Sequence, residues 1–213
     1  MNATRATITK AAFWDEAKRE LVRCDRVMRR VIPRYQGDSL SSRGDPFVTL
    51  ARSIVGQQIS VHAAQAVWNR LTASIPDFTP EKVSRMRVER LRSCGLSMRK
   101  AEYIHDLAAH FRQGGMHFDD WQSFDDEAVI SALTDIRGVG RWTAEMFLIF
   151  NLRRPDVLPL DDIGLQKAVG THYFAGERVT RSELREVAEN WAPWRSVGTW
   201  YMWRSLDPVP VEY

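Results

Sequence analysis

The chain has 213 residues and a mass of 24.6 kDa, enough to bury a substantial core in one compact unit or two small lobes. Its 44% apolar and 27% charged residues are ordinary for a soluble globular protein, and a net charge of +3 with a pI near 9.0 suits a polyanionic partner without requiring one. Two cysteines exclude a disulfide framework and a four-cysteine iron–sulfur cluster, and no apolar run is long enough to span a membrane.

The five histidines show no paired metal spacing, and the polar start, MNATRATITK, is not a secretory signal; a cytoplasmic protein is expected. After that arm, Trp14, Ala17, Leu21, Cys24, Met28 and Ile32 recur at helical intervals, which predicts one helix from Phe13 to Ile32, stopped by Pro33. Arg19, Arg23, Arg26 and Arg30 repeat on another face, as a solvated surface or as a nucleic-acid contact. Both thiols, Cys24 and Cys94, are expected reduced and in a helical core.

Gln36 to Gly44 is a Ser/Gly-rich link and a candidate lobe boundary. Asp45-Pro46 then opens a helix with an N-cap and a first-turn proline, carries Leu50, Ile54 and Val55 inward, and ends in Gly56-Gln57-Gln58-Ile59-Ser60. Ser60 caps the next helix, through Trp68 and Leu71. Short helices follow from Thr79-Pro80 and over Val88 to Cys94, closed by Gly95. Ser97 to Arg112 is longer, with Ala101, Ile104, Leu107, Ala108 and Phe111 apolar, and Gly114-Gly115 breaks it. Asp125 starts a helix through Val129, Ile130 and Leu133.

From Leu133 the chain reads as a helix end, a tight Gly138-Val139-Gly140 hairpin, and a second helix from about Arg141. Glycines there permit positive φ and close approach of backbone to a ligand. The first amides of the second helix then face outward with the positive end of its dipole, a geometry that suits phosphate, and Thr143 can add a hydroxyl. A plain helix–helix turn uses the same residues. One helix and one loop later stands the carboxylate pair Asp161-Asp162.

A short helix runs from Asp162 to Val169, and Thr180-x-x-Glu183 is a capping-box signature for a helix with Leu184, Val187 and Trp191. Trp194 to Leu206 forms the last helix, ended by Pro208 and Pro210. No alternating strand pattern and no internal repeat occur, so the fold class is all-α.

IRGVGRWTAEMF followed by LPLDDIGLQKAV resembles the helix-hairpin-helix DNA glycosylase superfamily. RWTA, the aspartate pair and the late PWRSVGTWYMW are similar to its alkylpurine (DNA-3-methyladenine glycosylase II) branch. The resemblance runs from about Asp45 to Leu206. It implies two helical lobes with an active cleft between them: residues 45–159, holding the helix-hairpin-helix at 133–151, and residues 1–44 joined to 160–213. It implies double-stranded DNA with alkylated bases as the partner, in base excision repair. The extra N-terminal β domain of larger relatives is not expected in this chain. Nothing in the sequence points to an oligomer, and a monomer is expected.

In such enzymes the target nucleotide is flipped out of the stack. The resemblance makes Asp162 the catalytic carboxylate that faces the oxocarbenium-like sugar. Helix capping is the simpler use of the same residue, and Asp161 competes for both roles. Leu165 and Lys167 match the positions that follow the family's aspartate and favour Asp162. Where relatives with lyase activity carry a nucleophilic lysine, this chain has Trp142, so hydrolysis alone is expected. Trp142 and Trp203 would grip a cationic alkylpurine such as 3-methyladenine or 7-methylguanine, an indole face attracting a cation by ~0.5–2 kcal/mol. Met146 would floor that pocket; Trp191, Trp194 and Trp200 are read as core.

Gly138, Gly140, Arg141 and Thr143 would hold the DNA backbone, and Gln58 would fill the gap left by the flipped nucleotide, unless the two glutamines merely end an exposed helix. Arg137 stands where relatives carry proline, either loosening the hairpin or adding a phosphate contact. The resemblance further implies a monovalent cation, Na or K, on the carbonyls of Thr134, Ile136 and Val139. Two alternatives stay open: a glycosylase for hypoxanthine, ethenoadenine or uracil, and a non-catalytic helix-hairpin-helix module that grips distorted DNA.

Overall fold

The computed structural model describes residues 11–35, 37, 39–40, 44–113 and 118–206. Most of the expected 36–44 link, Gly114-Gly115, Pro208 and Pro210 lie outside them. Among the described residues the regular structure is entirely helical: α1 (Trp14–Cys24), α2 (Met28–Val31), α3 (Pro46–Gly56), α4 (Val61–Ser74), α5 (Pro80–Ser84), α6 (Val88–Ser93), α7 (Met98–Arg112), α8 (Asp126–Thr134), α9 (Arg141–Phe150), α10 (Ile163–Tyr173), α11 (Arg181–Glu189) and α12 (Arg195–Leu206). Short 3-10 turns cover Ile32–Arg34 and Phe118–Ser123.

Capping side chains set most of the starts. Asp45, Ser60, Thr79, Ser97, Asp125 and Asp162 each accept the backbone N–H three residues on. Thr180 and Glu183 close a reciprocal capping box. Each cap satisfies an amide that has no partner inside its helix and is worth about 1 kcal/mol.

The chain divides into two compact units, one of Met1–Ser42 with Arg153–Glu212 and the other of Arg43–Leu152. The division falls earlier than the expected 159/160 boundary because residues 154–157 are bonded to the last helix. The Ser196 amide donates to the Pro155 carbonyl at 3.0 Å, its hydroxyl to the Arg154 carbonyl at 2.7 Å, and the Val157 amide to Ser196 Oγ at 2.9 Å. Asp156 clamps Arg195 through both carboxylate oxygens at 2.6 Å.

Each unit is built on one helix buried on every side. In the Arg43–Leu152 unit this is α9, whose residues Thr143 to Phe150 are all buried, packed by α3 and α8. In the other unit it is α12, buried from Ser196 to Arg204 and packed by α1, α2 and α10. Neither helix keeps a solvent face, so each sits at the centre of its unit, not on its surface. Thr143 and Glu145 of α9 and Ser196, Thr199 and Arg204 of α12 are buried among the apolar residues. Trp191 and Trp200 are core residues of the second unit, as expected. Trp194 stacks on Phe13 and donates to Glu20 at 2.6 Å.

The single helix predicted from Phe13 to Ile32 is two. Asp25, 4% exposed, interrupts it: its Oδ1 accepts the amides of Val27 and Met28 and so starts α2. The same carboxylate takes the Tyr173 hydroxyl at 2.8 Å and the Trp191 indole at 3.3 Å, tying α2 to the end of α10. Burial, and then the Asp25 charge, push the Tyr173 phenol well above its usual range. Cys24, expected in the core, is exposed at the end of α1; Cys94 is buried.

Candidate active site

The hairpin between α8 and α9 is closed by the Val139 amide, which donates to the Ile136 carbonyl at 3.0 Å. Only one of its glycines needs to be glycine for the fold. Gly138 has φ of +89°, and a Cβ there would lie 2.3 Å from the Tyr103 ring of α7. Gly140, the N-cap of α9, has an ordinary φ of −92°, and a Cβ would meet nothing within 4 Å. No side chain caps α9. The exposed Gly140 backbone therefore leads straight to first-turn amides on the positive end of a ten-residue helix.

Thr143 is not a surface hydroxyl. It is 2% exposed, and its Oγ1 accepts from Gln57 Nε2 at 3.3 Å. The two arginines that flank the hairpin are held by carboxylates. Arg137 pairs with Glu102 at 2.7 Å and Asp106 at 3.4 Å and lies over the Tyr103 ring. It thus braces the hairpin against α7. Arg141 pairs with Glu127 and, at 3.1 Å, with Glu145. Its hydrogen bond to Glu127 raises the guanidinium further and holds the Glu127 carboxyl below its usual range. Both arginine side chains are more than half exposed, where such pairs are worth about 0–1 kcal/mol, so a phosphate can compete for either.

The carbonyls of Thr134, Ile136 and Val139 fit a cation. Among the described residues no backbone amide donates to the first or the third, and Ile136, which accepts from Val139, retains a second lone pair. Oxygen donors of this kind suit a hard cation.

Asp161 and Asp162 separate cleanly. Asp161 is exposed and pairs with Arg181. Asp162 is 4% exposed, caps α10 by taking the Leu165 amide on Oδ1 at 2.6 Å, and on the same oxygen accepts the Trp203 indole N–H at 2.7 Å. Trp203, expected as a wall of the base pocket, is 3% exposed and serves as a mount for the carboxylate. Met146, expected as the pocket floor, has no exposed surface, because α9 is buried all round. Trp142 is half-buried in the first turn of α9.

Four further residues, one beside Asp162 and three beside the hairpin, were not singled out by the sequence. Ile163, directly after Asp162, is 80% exposed; an apolar residue at the first position of a helix was its only signal. Tyr103 lies under Gly138. Gln57 Nε2 donates to the Gly138 carbonyl at 3.0 Å, and Lys100 Nζ donates to the carbonyls of Val55 at 2.8 Å and Gln57 at 2.6 Å. Gln58 is exposed, with φ of +57°.

An all-helical unit with a glycine hairpin, joined in the same chain to a buried helix-capping aspartate, defines a helix-hairpin-helix protein of the base-excision class. The profile described as "HhH-GPD superfamily base excision DNA repair protein" matches residues 51–193. The chain belongs to this superfamily. It is 30% identical over 182 residues to DNA-3-methyladenine glycosylase 1 of Schizosaccharomyces pombe, covering 83% of this chain and 79% of that one. The solved structure of the S. pombe 3-methyladenine DNA glycosylase Mag1 with abasic DNA superposes with a TM-score of 0.81 at 30% identity, over 89% of this chain and 96% of that one. A DNA-3-methyladenine glycosidase from Bacillus halodurans gives 0.76 at 34% identity, over 89% and 88%. No described helix is long and apolar enough to cross a membrane.

Proposed function

We propose that this chain is a monofunctional DNA glycosylase that hydrolyses the N-glycosidic bond of alkylated purines, 3-methyladenine and 7-methylguanine among them. The observation that carries the reading is the mounting of Asp162: a buried carboxylate whose orientation two N–H donors fix. The similarity to 3-methyladenine glycosylases of two organisms supports the substrate class.

The hairpin amides hold the backbone of double-stranded DNA near the extruded nucleotide and read no sequence. As the bond to the base breaks, positive charge grows on the sugar. A carboxylate about 4 Å away, at an effective dielectric near 20, favours that charge by ~4 kcal/mol, roughly a thousandfold in rate. The same group orients or deprotonates the attacking water. A cationic alkylpurine is already a good leaving group, so no separate general acid is needed. Trp142 offers the departing base an indole face.

The carbonyls of Thr134, Ile136 and Val139 would hold a monovalent cation, Na or K, which would supply positive charge to the hairpin. With Trp142 at the lysine position of the lyase-active relatives, the sugar meets no amine from that site, and the reaction stops at the abasic product.

The experiment is release of free bases from methylated duplex DNA, followed by chromatography for the wild type and Asp162→Asn. Release of alkylpurines by the wild type, falling about a thousandfold in the variant, is the expected result. Binding by both with release by neither would make the protein a DNA-gripping module; release of another base would rename the substrate.

A further inference from the structure

We propose that Gln57 and Lys100 are positioning residues that lock the Gln58 turn to the helix-hairpin-helix, so that gap filling and backbone capture act as one rigid body. The inference rests on the function proposed above and assigns the two adjacent glutamines opposite tasks.

α3 ends at Gly56, where its last carbonyls lack helical partners. The Lys100 ammonium, with three donors on one flexible stem, reaches from the first turn of α7 to two carbonyls of this end, Val55 at 2.8 Å and Gln57 at 2.6 Å. A cation also suits the negative end of a helix. Burial alone pulls the ammonium below its usual value, so the fold carries a desolvation cost to place it there. The residue after this clamp is Gln58, whose φ of +57° is disfavoured for any side chain with a Cβ. The clamp therefore sits where the chain must be held in a conformation it would not choose.

Gln57 faces the other way. It is half-buried, and its amide donates to the Gly138 carbonyl at 3.0 Å and to Thr143 Oγ1 at 3.3 Å, one on the turn of the hairpin and the other in the first turn of α9. A segment some eighty positions earlier in the chain is thereby bonded to the turn of the hairpin and to the helix that follows it. Gln58 is left exposed at the tip. One glutamine anchors; the other projects.

The test uses duplex DNA with a tetrahydrofuran abasic analogue opposite 2-aminopurine, whose fluorescence rises when the base is unstacked, so no base release is needed. Gln58→Ala is compared in the wild-type, Gln57→Leu and Lys100→Met backgrounds, with Lys100→Arg as the conservative variant. We expect Gln58→Ala to weaken the preference for abasic over intact DNA about fivefold in the wild type, and less than about twofold once Gln57 or Lys100 is removed. Lys100→Arg, which can still donate to both carbonyls, restores the fivefold effect. Gln57→Glu, of the same size but without the donor, serves where the leucine variant does not fold, and it should behave as the leucine variant does. Equal effects of Gln58→Ala in every background would overturn the proposal, because a merely structural role leaves the substitutions multiplicative. A wild type with no fluorescence rise and no abasic preference would sink the glycosylase reading and this inference together. A responsive wild type with independent variants sinks this inference alone.

Discussion

The indole of Trp203 and the carboxylate of Asp162 are joined by a 2.7 Å hydrogen bond to the same oxygen that caps α10. The bond fixes the rotation of the carboxylate about its side chain, and it links the buried helix α12 to the start of α10. Trp203→Phe keeps an aromatic filling and removes the donor. The expected result is a fall in single-turnover base release of about tenfold, with DNA affinity nearly unchanged, since one hydrogen bond to a charged group is worth about 1.5 kcal/mol or more. An unchanged rate would reduce Trp203 to packing.

The two hairpin glycines should respond differently to the same substitution. Gly138→Ala places a Cβ 2.3 Å from Tyr103 at a φ that disfavours it, and unfolding in urea should show a loss of about 2 kcal/mol or more. Gly140→Ala meets neither obstacle, so stability should stay within about 0.5 kcal/mol. On the function proposed above its cost falls on binding, where the added methyl would meet the approaching DNA backbone. Titration of a labelled duplex should therefore show weaker binding by a protein of normal stability.

Trp142 cannot form a Schiff base, so borohydride added during turnover should trap no covalent protein–DNA complex on a denaturing gel. Lys100 is the amine to watch in this experiment, being half-buried, with burial holding its ammonium below the usual value. Its ammonium donates to the two backbone carbonyls of Val55 and Gln57. A trapped complex abolished by Lys100→Met would move the chemistry to that residue and end the hydrolysis-only mechanism.

His172, near the end of α10, has its imidazole held below the usual 6.5 by burial and then by Arg30 and Arg34. The folded protein therefore resists the proton that the unfolded chain takes up at that pH. The sign follows: stability is complete above about 6.5 and declines as pH falls from there toward the lowered value. Urea midpoints measured from pH 7.5 to 5 should show this decline, and His172→Asn should flatten that part of it. A slope identical in the variant would assign the acid sensitivity to other groups.

Sequence alone determined the local part of this protein. Caps such as Asp45, Ser97, Asp125 and Thr180 act over three residues, and the hairpin and the apolar spacing of the helices are written at similarly short range, so these elements and the family they belong to were legible. The longer-range part was decided by the tertiary structure. Trp203 finds Asp162 across 41 positions, and Gln57 finds Gly138 across 81. Spacing does not encode such partners, and the engagement of Arg137, Arg141 and Thr143 with Glu102, Glu127 and Gln57 was likewise out of its reach. Burial on every side was equally invisible: whether Met146 lines a pocket or fills a core depends on which helices surround α9. The break at Asp25 has the same origin, a buried carboxylate whose partners Tyr173 and Trp191 come together with it only once the chain has folded.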